Sequence, residues 1–187
     1  MKRHTIIFFD LDQNKIKEYQ SVLSNIKCNI NLVFIHSDFE KLLEKNLFHA
    51  IVSPANSFLS MTGGIDSVYA KCFPGVEDKL RRVSNEKKYA ISDIEYKSTH
   101  FIVPVGKCIV SETGNKKCPY IIAAPTMKTP KDINYTNNIY LAMCSILNKI
   151  KTLDDAIIIG CPCLGTGIGG LSAKKSALQV KKALLEN

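Results

Sequence analysis

Segments with strand-like and helix-like patterns alternate along this chain, which predicts an α/β protein with a mainly parallel sheet sandwiched by helices. Two further observations support that fold class. Ala156–Ile159 is wholly apolar, as a strand covered on both faces requires. Two segments also join a buried strand to a helix through glycines, the connection used in open α/β sheets.

Taken in order, Thr5–Phe9 is a β-branched and aromatic run and reads as the first strand. Asp12 can cap a helix whose apolar residues fall at Ile16, Tyr19 and Leu23. Asn31–Ile35 is a second strand and Phe39–Lys45 a short helix. Ala50–Val52 begins a buried strand that ends at Ser53-Pro54, followed by the loop Ser57–Gly63. A helix starts near Gly64 and is broken at Pro74-Gly75; a second helical stretch covers about Val76 to Asn85. Lys107–Val110 and Tyr120–Ala123 read as strands with a turn around Gly114-Asn115. The clearest helix runs from about Asp132 to Lys151, with Ile139, Met143, Ile146 and Ile150 on one stripe. After Ala156–Ile159 comes a glycine-rich loop, Gly160–Gly170. Ser172 then caps a last helix with Ala173, Ala177, Val180 and Leu184 on its inner stripe.

A chain of 187 residues fits one domain, expected to span 1–187, with a core large enough to need no staples. Its 45% hydrophobic and 22% charged content excludes a disordered protein. The cysteines, Cys28, Cys72, Cys108, Cys118, Cys144, Cys161 and Cys163, are odd in number and irregularly spaced. They form no CxxC pair and sit at no zinc-ligand spacing from a histidine, so a reducing compartment with no disulfide framework and no metal is expected. Met1–His4 is followed by only five apolar or β-type residues before Asp10, too short for a signal-peptide core or a membrane span. The expectation is a soluble, intracellular protein, cytoplasmic or nuclear, without a membrane partner.

The net charge of +8 suits an anionic partner. The basic groups at Lys79–Arg82, Lys87-Lys88, Lys174-Lys175 and Lys181-Lys182 read as solvated helix faces. No aromatic residues interleave with them along the chain as on a base-stacking platform, so weak nucleic-acid binding is the lesser reading.

The chemistry is expected in the two glycine-bearing connections, Ile51–Asp66 and Gly160–Gly170. Free backbone N–H groups and the helix dipole at such strand ends favour anions such as phosphate. Neither loop ends in Gly-Lys-Ser/Thr, so neither is a Walker A motif. Neither places G-x-G-x-x-G after the first strand, which argues against a dinucleotide oxidoreductase.

Ala50–Asp66 resembles the first signature of the macrodomain family, V-N-A-A-N followed by a short loop and G-G-G-V, and Leu164–Gly170 resembles the second, S/T-T-G-x-x-G. Ile121–Met127 resembles the strand and APTM turn of a bacterial and viral-type branch that also reads SPANS…GGID and GTGxGG. His36–Phe39 sits where the family has G-D-I. The resemblance implies a three-layer α/β/α sandwich with a mixed, mainly parallel sheet. It also implies a pocket for ADP-ribose or an ADP-ribosylated protein, and no cofactor.

By matching position, Asp38 would accept the adenine amino group and Phe39 would lie beside the ring; Asp38 is equally a helix N-cap. Gly63, Gly64 and Ile65, together with Ala55 and Asn56, would surround the distal ribose and diphosphate; Gly165, Thr166, Gly167, Ile168 and Gly169 would clamp the diphosphate from the other side. Asn56 and Asp66 have the spacing of the Asn and Asp used by the branch that hydrolyses ADP-ribosyl bonds. There the Asn holds the ribose hydroxyls and the Asp assists a water that attacks the anomeric carbon. Asp66 also suits the first turn of a helix as an acid favoured by the dipole.

Three departures bear on turnover. Ser53 replaces the first Asn of the motif, Thr62 replaces a third glycine, and Gly169 stands where hydrolytic members often carry an aromatic. The expected function is ADP-ribose binding with hydrolysis of mono-ADP-ribosyl-protein. The alternatives are dephosphorylation of ADP-ribose 1″-phosphate with Thr166 and Asp66, a non-catalytic reader, or a nucleic-acid-binding module of the same fold. Cys161 and Cys163 read as core and turn residues, and His49 and His100 as structural, whereas His36 lies near the adenine position.

Overall fold

Six strands form one sheet: β1 (Thr5–Asp10), β2 (Asn31–His36), β3 (Ala50–Ser53), β4 (Ile109–Glu112), β5 (Tyr120–Ala123) and β6 (Ile158–Pro162). Their spatial order is β2-β1-β6-β3-β5-β4, and every pair is parallel except β4 with β5. The computed structural model describes residues 3–87, 102–153 and 155–187.

Alternate side chains of each strand face opposite layers. In β1, Ile6 and Phe8 enter one core and Ile7 and Phe9 the other, which is why the strand reads as an unbroken apolar run. The first core is closed by α1 (Gln13–Leu23), α5 (Asn138–Ile150) and α6 (Ala173–Glu186), through Ile16, Tyr19, Ile139, Met143, Ala177 and Val180. The second is closed by α2 (Phe39–Glu44), α3 (Gly64–Cys72) and α4 (Val76–Lys87), through Phe39, Leu42, Tyr69, Phe73, Val76 and Leu80. The result is a three-layer α/β/α sandwich around a mixed, mainly parallel sheet. Asp12 and Ser172 cap α1 and α6 through their side chains. The seven cysteines are free thiols. No helix among the described residues is long and apolar enough to cross a membrane.

Three element boundaries differ from the sequence reading. The helix expected from about Asp132 begins at Asn138. Asp132 Oδ1 accepts the Asn134 N–H at 2.8 Å and Thr136 Oγ1 donates to the Ile133 carbonyl at 2.8 Å, local bonds that compete with helix. The Ile133 N–H meanwhile donates to the Gly169 carbonyl at 2.9 Å, tying the segment to the second loop. The strand expected at Lys107 begins at Ile109, because the Lys107 N–H closes a turn onto the Pro104 carbonyl.

Finally, Gly160–Pro162 belongs to strand β6 and not to the loop. Gly160 serves close packing: a Cβ there would lie 2.5 Å from Ile51 Cδ1 and 2.9 Å from Phe48 Cε1. Gly160→Ala is therefore expected to lower unfolding free energy by about 1–3 kcal/mol, since Ile51 and Phe48 must shift. Gly167→Ala, whose methyl meets nothing within 4 Å, is expected to change it by less than about 0.5 kcal/mol. Denaturant unfolding of the two variants beside the wild type measures the contrast.

Candidate functional site

The carboxyl ends of the five parallel strands share one edge of the sheet, and the loops leaving them enclose a cleft of about 470 Å³. Asp38, Phe39, Ala55, Asn56, Gly63, Gly64, Ile65, Asp66, Gly165, Thr166, Gly167, Ile168 and Gly169 all line it.

One wall is the loop from β3 to α3. Asn56 organises it: Oδ1 accepts the N–H groups of Phe58 at 3.0 Å and Ser60 at 3.4 Å, and Nδ2 donates to the Ser60 carbonyl at 3.0 Å. This network helps hold Leu59 at φ +59°, a conformation uncommon for a leucine. Further on, Glu77 Oε2 accepts the Met61 N–H at 2.9 Å while Oε1 pairs with Arg81 at 2.6 Å. The N-cap of α3 is Gly63, which has no side chain to cap the first turn, and Gly64 follows at φ +56°. Among the described residues, the N-cap thus supplies no side-chain acceptor to the first-turn N–H groups of α3 at the cleft wall.

Asp66 lies in that turn, 8% exposed, and accepts a hydrogen bond from Ser53 Oγ at 2.7 Å. Burial pushes its carboxyl up to about 7; the Ser53 hydroxyl opposes the rise and the nearby Glu77 carboxylate adds to it. A buried acid that titrates near neutrality in a cleft suits a general base.

The opposite wall folds back on itself. The Leu171 N–H donates to the Gly165 carbonyl at 3.1 Å and the Gly170 N–H to the Gly167 carbonyl at 3.0 Å. Gly165 adopts φ +69°, and a Cβ on Gly169 would sit 2.6 Å from the Gly165 oxygen, so this loop admits no side chain at 169. Thr166 Oγ1 turns inward and donates to the Cys163 carbonyl at 2.9 Å. Ile168 is 58% exposed, and its Cδ1 would lie 3.7 Å from a Cβ on Gly63, so the two loops approach each other over the cleft.

At the β2 end, Asp38 caps α2 by accepting the Lys41 N–H at 2.7 Å, and its second oxygen pairs with Lys41 Nζ at 2.9 Å. Those bonds, the side-chain one first, hold its carboxyl below the usual range. Phe39 is 2% exposed and stands edge-on to Tyr69 at 4.7 Å, so it has little surface left for a ligand. His36 Nε2 bonds the Leu11 carbonyl at 3.0 Å and fixes the neighbouring turn. His49 Nδ1 accepts the Ile158 N–H at the start of β6. Burial raises the Cys161 and Cys163 thiols well above their ordinary range, which removes them as nucleophiles. His100 lies outside the described residues.

Two stretches of the wall were missed from the sequence. Phe9, Asp10, Leu11 and Lys15 enter because β1 sits beside β6 in the middle of the sheet. That neighbourhood follows from strand order, and the glycine-free β1–α1 turn gives no local sign of it. Thr126, Met127 and Pro130 follow β5. Thr126 is locked by its N–H on the Ala55 carbonyl at 3.1 Å and by Asn138 Nδ2 on its own carbonyl at 2.8 Å. The signal for Thr126 and Met127 was present in the APTM turn.

Residues 52–180 match the model of the Macro domain family. A protein of Aeropyrum pernix, named only as uncharacterized, is 26% identical over 143 residues, covering 75% of this chain and 66% of its own length. The macrodomain of Thermus aquaticus DarG superposes with a TM-score of 0.58 at 20% identity, covering 78% of this chain and 87% of that one. A variant Oceanobacillus iheyensis macrodomain solved with ADPR superposes with a TM-score of 0.56 at 18% identity, covering 75% and 70%. At these identities the two solved structures establish the fold.

The buried carboxyl carries a pH signature. An unfolded Asp releases its proton at about 3.9, whereas folded Asp66 keeps it to about 7. Between those values the folded state binds more protons, so stability falls as pH rises and levels off above about 7. Asp66→Asn is expected to lack this component. It should gain on the order of a few kcal/mol over the wild type between pH 4 and pH 8, read as the difference between their denaturant unfolding free energies.

Proposed function

The chain belongs to the macro domain family, and we propose that its cleft binds ADP-ribose and hydrolyses an ADP-ribosyl linkage, with mono-ADP-ribosylated protein as the substrate. The observation that carries this reading is the pairing of two backbone-built walls with one buried carboxyl, Asp66, that titrates near neutrality between them. A macrodomain of the same fold was solved with ADPR, which supports the choice of ligand.

In this reading the N–H groups of Gly64 and Ile65 meet the diphosphate from one side, and those of Gly165–Gly169 meet it from the other. Ile168 closes over it. Asp38 stays ionised beside Lys41 and keeps accepting capacity for the adenine amino group. Asn56 spends most of its amide on its own loop and offers its remaining N–H to the distal ribose. The ionised Asp66 takes a proton from water as its oxygen bonds to the anomeric carbon. The glycosidic bond breaks, the water's second proton stays on the new ribose hydroxyl, and the proton taken by Asp66 is passed on, directly or through solvent, to the leaving group. Negative charge from Asp66 and the diphosphate favours the developing oxocarbenium ion.

A specific observation favours one second reading, a reader that binds without turnover. No side chain fits at Gly169, so the aromatic that could pack on the distal ribose is absent, and small misplacement of a reacting sugar costs about a hundredfold in rate. Thr166 directs its hydroxyl to the Cys163 carbonyl, away from the role a 1″-phosphatase would give it.

Calorimetric titration with ADP-ribose is expected to show micromolar binding that weakens in Asp38→Ala. Absence of heat from the folded protein at two temperatures would sink the ligand assignment. On an ADP-ribosylated protein, turnover is expected to rise with pH through about 7 as Asp66 ionises, and Asp66→Ala is expected to abolish it while binding persists. Tight binding with no release of ADP-ribose at any pH would establish the reader instead.

A further inference from the structure

Along the chain no aromatic interleaves with the paired lysines of α6, but the fold supplies two. Lys175 Nζ stands 5.8 Å from the centre of the Tyr135 ring, and Lys182 Nζ stands 4.8 Å from that of Tyr140. Lys175 and Lys182 are two turns apart on one face of the helix, about 10 Å along its axis. Gln179 lies between them and sets the register of the two rows: Nε2 donates to the Thr136 carbonyl at 2.8 Å and Oε1 accepts the Tyr140 N–H at 3.0 Å. Lys174 and Lys181 flank the same row one position back in the chain.

Tyr135 is 98% exposed, so its ring contributes almost nothing to the core. The row begins at the cleft, because Asn134 Nδ2 donates to the Gly170 carbonyl at 2.9 Å and the Ile133 N–H to that of Gly169. Two acids face it. Asp132 has its oxygens on Asn134, and Glu186 accepts the Tyr140 hydroxyl at 2.7 Å and lies 4.0 Å from Lys182. Four lysines against two engaged carboxylates leave the row positive.

We propose that this lysine–tyrosine row on α6 and the segment before α5 binds single-stranded nucleic acid, with a base stacked on Tyr135 and phosphates against Lys174, Lys175, Lys181 and Lys182. Interleaved cations and an open aromatic face match a strand whose backbone is anionic and whose bases are unpaired. A duplex hides its base faces, and an acidic peptide gives the ring no flat partner. The surface lies outside the cleft, so the proposal stands independently of the ADP-ribose reading.

The test is fluorescence anisotropy of a labelled single-stranded oligothymidylate against the full chain at several salt concentrations. Binding is expected at low salt and should fall steeply as salt rises. Tyr135→Ala, at a position that carries no packing, is expected to weaken it about tenfold. The double variant Lys175→Glu with Lys182→Glu is expected to weaken it further and flatten the salt dependence. ADP-ribose titrations of the same variants should match the wild type. No binding at low salt would overturn the proposal, as would binding that both variants retain, which would place the site elsewhere. Equal affinity for polyglutamate, indifferent to Tyr135→Ala, would also overturn it in favour of an acidic protein.

Discussion

The site depends on a backbone closure that only glycine permits. The second loop turns back so tightly that a Cβ on Gly169 would lie 2.6 Å from the Gly165 carbonyl oxygen, and a Cβ on Gly165 would lie 2.6 Å from Ile139 Cδ1. Ile139 opens α5, and Ile133 packs under Gly169, so the start of that helix and the segment before it are set by what the loop requires. The loop is also anchored from beneath: Ser176 Oγ donates to the Leu164 carbonyl and meets the buried Tyr19 hydroxyl, linking α6, α1 and the start of the loop. A polar link between fully buried groups has a narrow geometry, because leaving any member unpaired costs about 1–3 kcal/mol. The aromatic that the resemblance expects at 169 is therefore sterically excluded by this loop.

The opposite wall stores its cost in Asp66. Removing a carboxyl from water disfavours its charge, and the Ser53 hydroxyl returns only part of that stabilisation. Read from the sequence, Ser53 is a departure from the family's Asn. In the fold it is the group that orients the candidate base. The Ser53 Oγ–H reaches Oδ1 from the end of β3, so the departure keeps a hydrogen-bonding side chain at the strand end and redirects it toward the acid.

The layers, the strand edge that carries the cleft and both glycine loops were legible because each follows from local pattern. Ile16, Tyr19 and Leu23 recur at helical spacing, and β3 is apolar up to Ser53 and buried throughout. What failed depended on distance in sequence. Gly160 looked like loop because glycine signals a turn unless Phe48 and Ile51 are known to lie against it. Asp132–Asn137 looked helical because its side-chain bonds and its tie to Gly169 are invisible to periodicity. Asp10 and Lys15 joined the wall through strand order, and Tyr135 met Lys175 across forty residues of chain. The macrodomain signatures contributed what pattern could not, the nomination of Asp38, Asn56 and Asp66 as a set.

The cleft divides its labour between main chain and side chain. Asn56, Glu77, Thr166, Asp132 and Asn134 spend most of their polar atoms on holding the loops, so the two glycine walls meet a ligand mainly through backbone N–H groups. Such a surface recognises an anion by shape and tolerates substitutions such as Thr62 for glycine as long as the backbone path survives. It cannot move a proton, so chemistry falls to the titratable side chains. Asp10 faces Lys15 at 3.7 Å and Asp38 faces Lys41 at 2.9 Å, so each has a cation as its partner. Asp66 has a neutral hydroxyl as its hydrogen-bond donor and a second carboxylate, Glu77, nearby. A positive centre developing beside it would relieve both burdens at once, and that asymmetry singles out Asp66 as the group whose charge is most stabilised by the reaction it is proposed to assist.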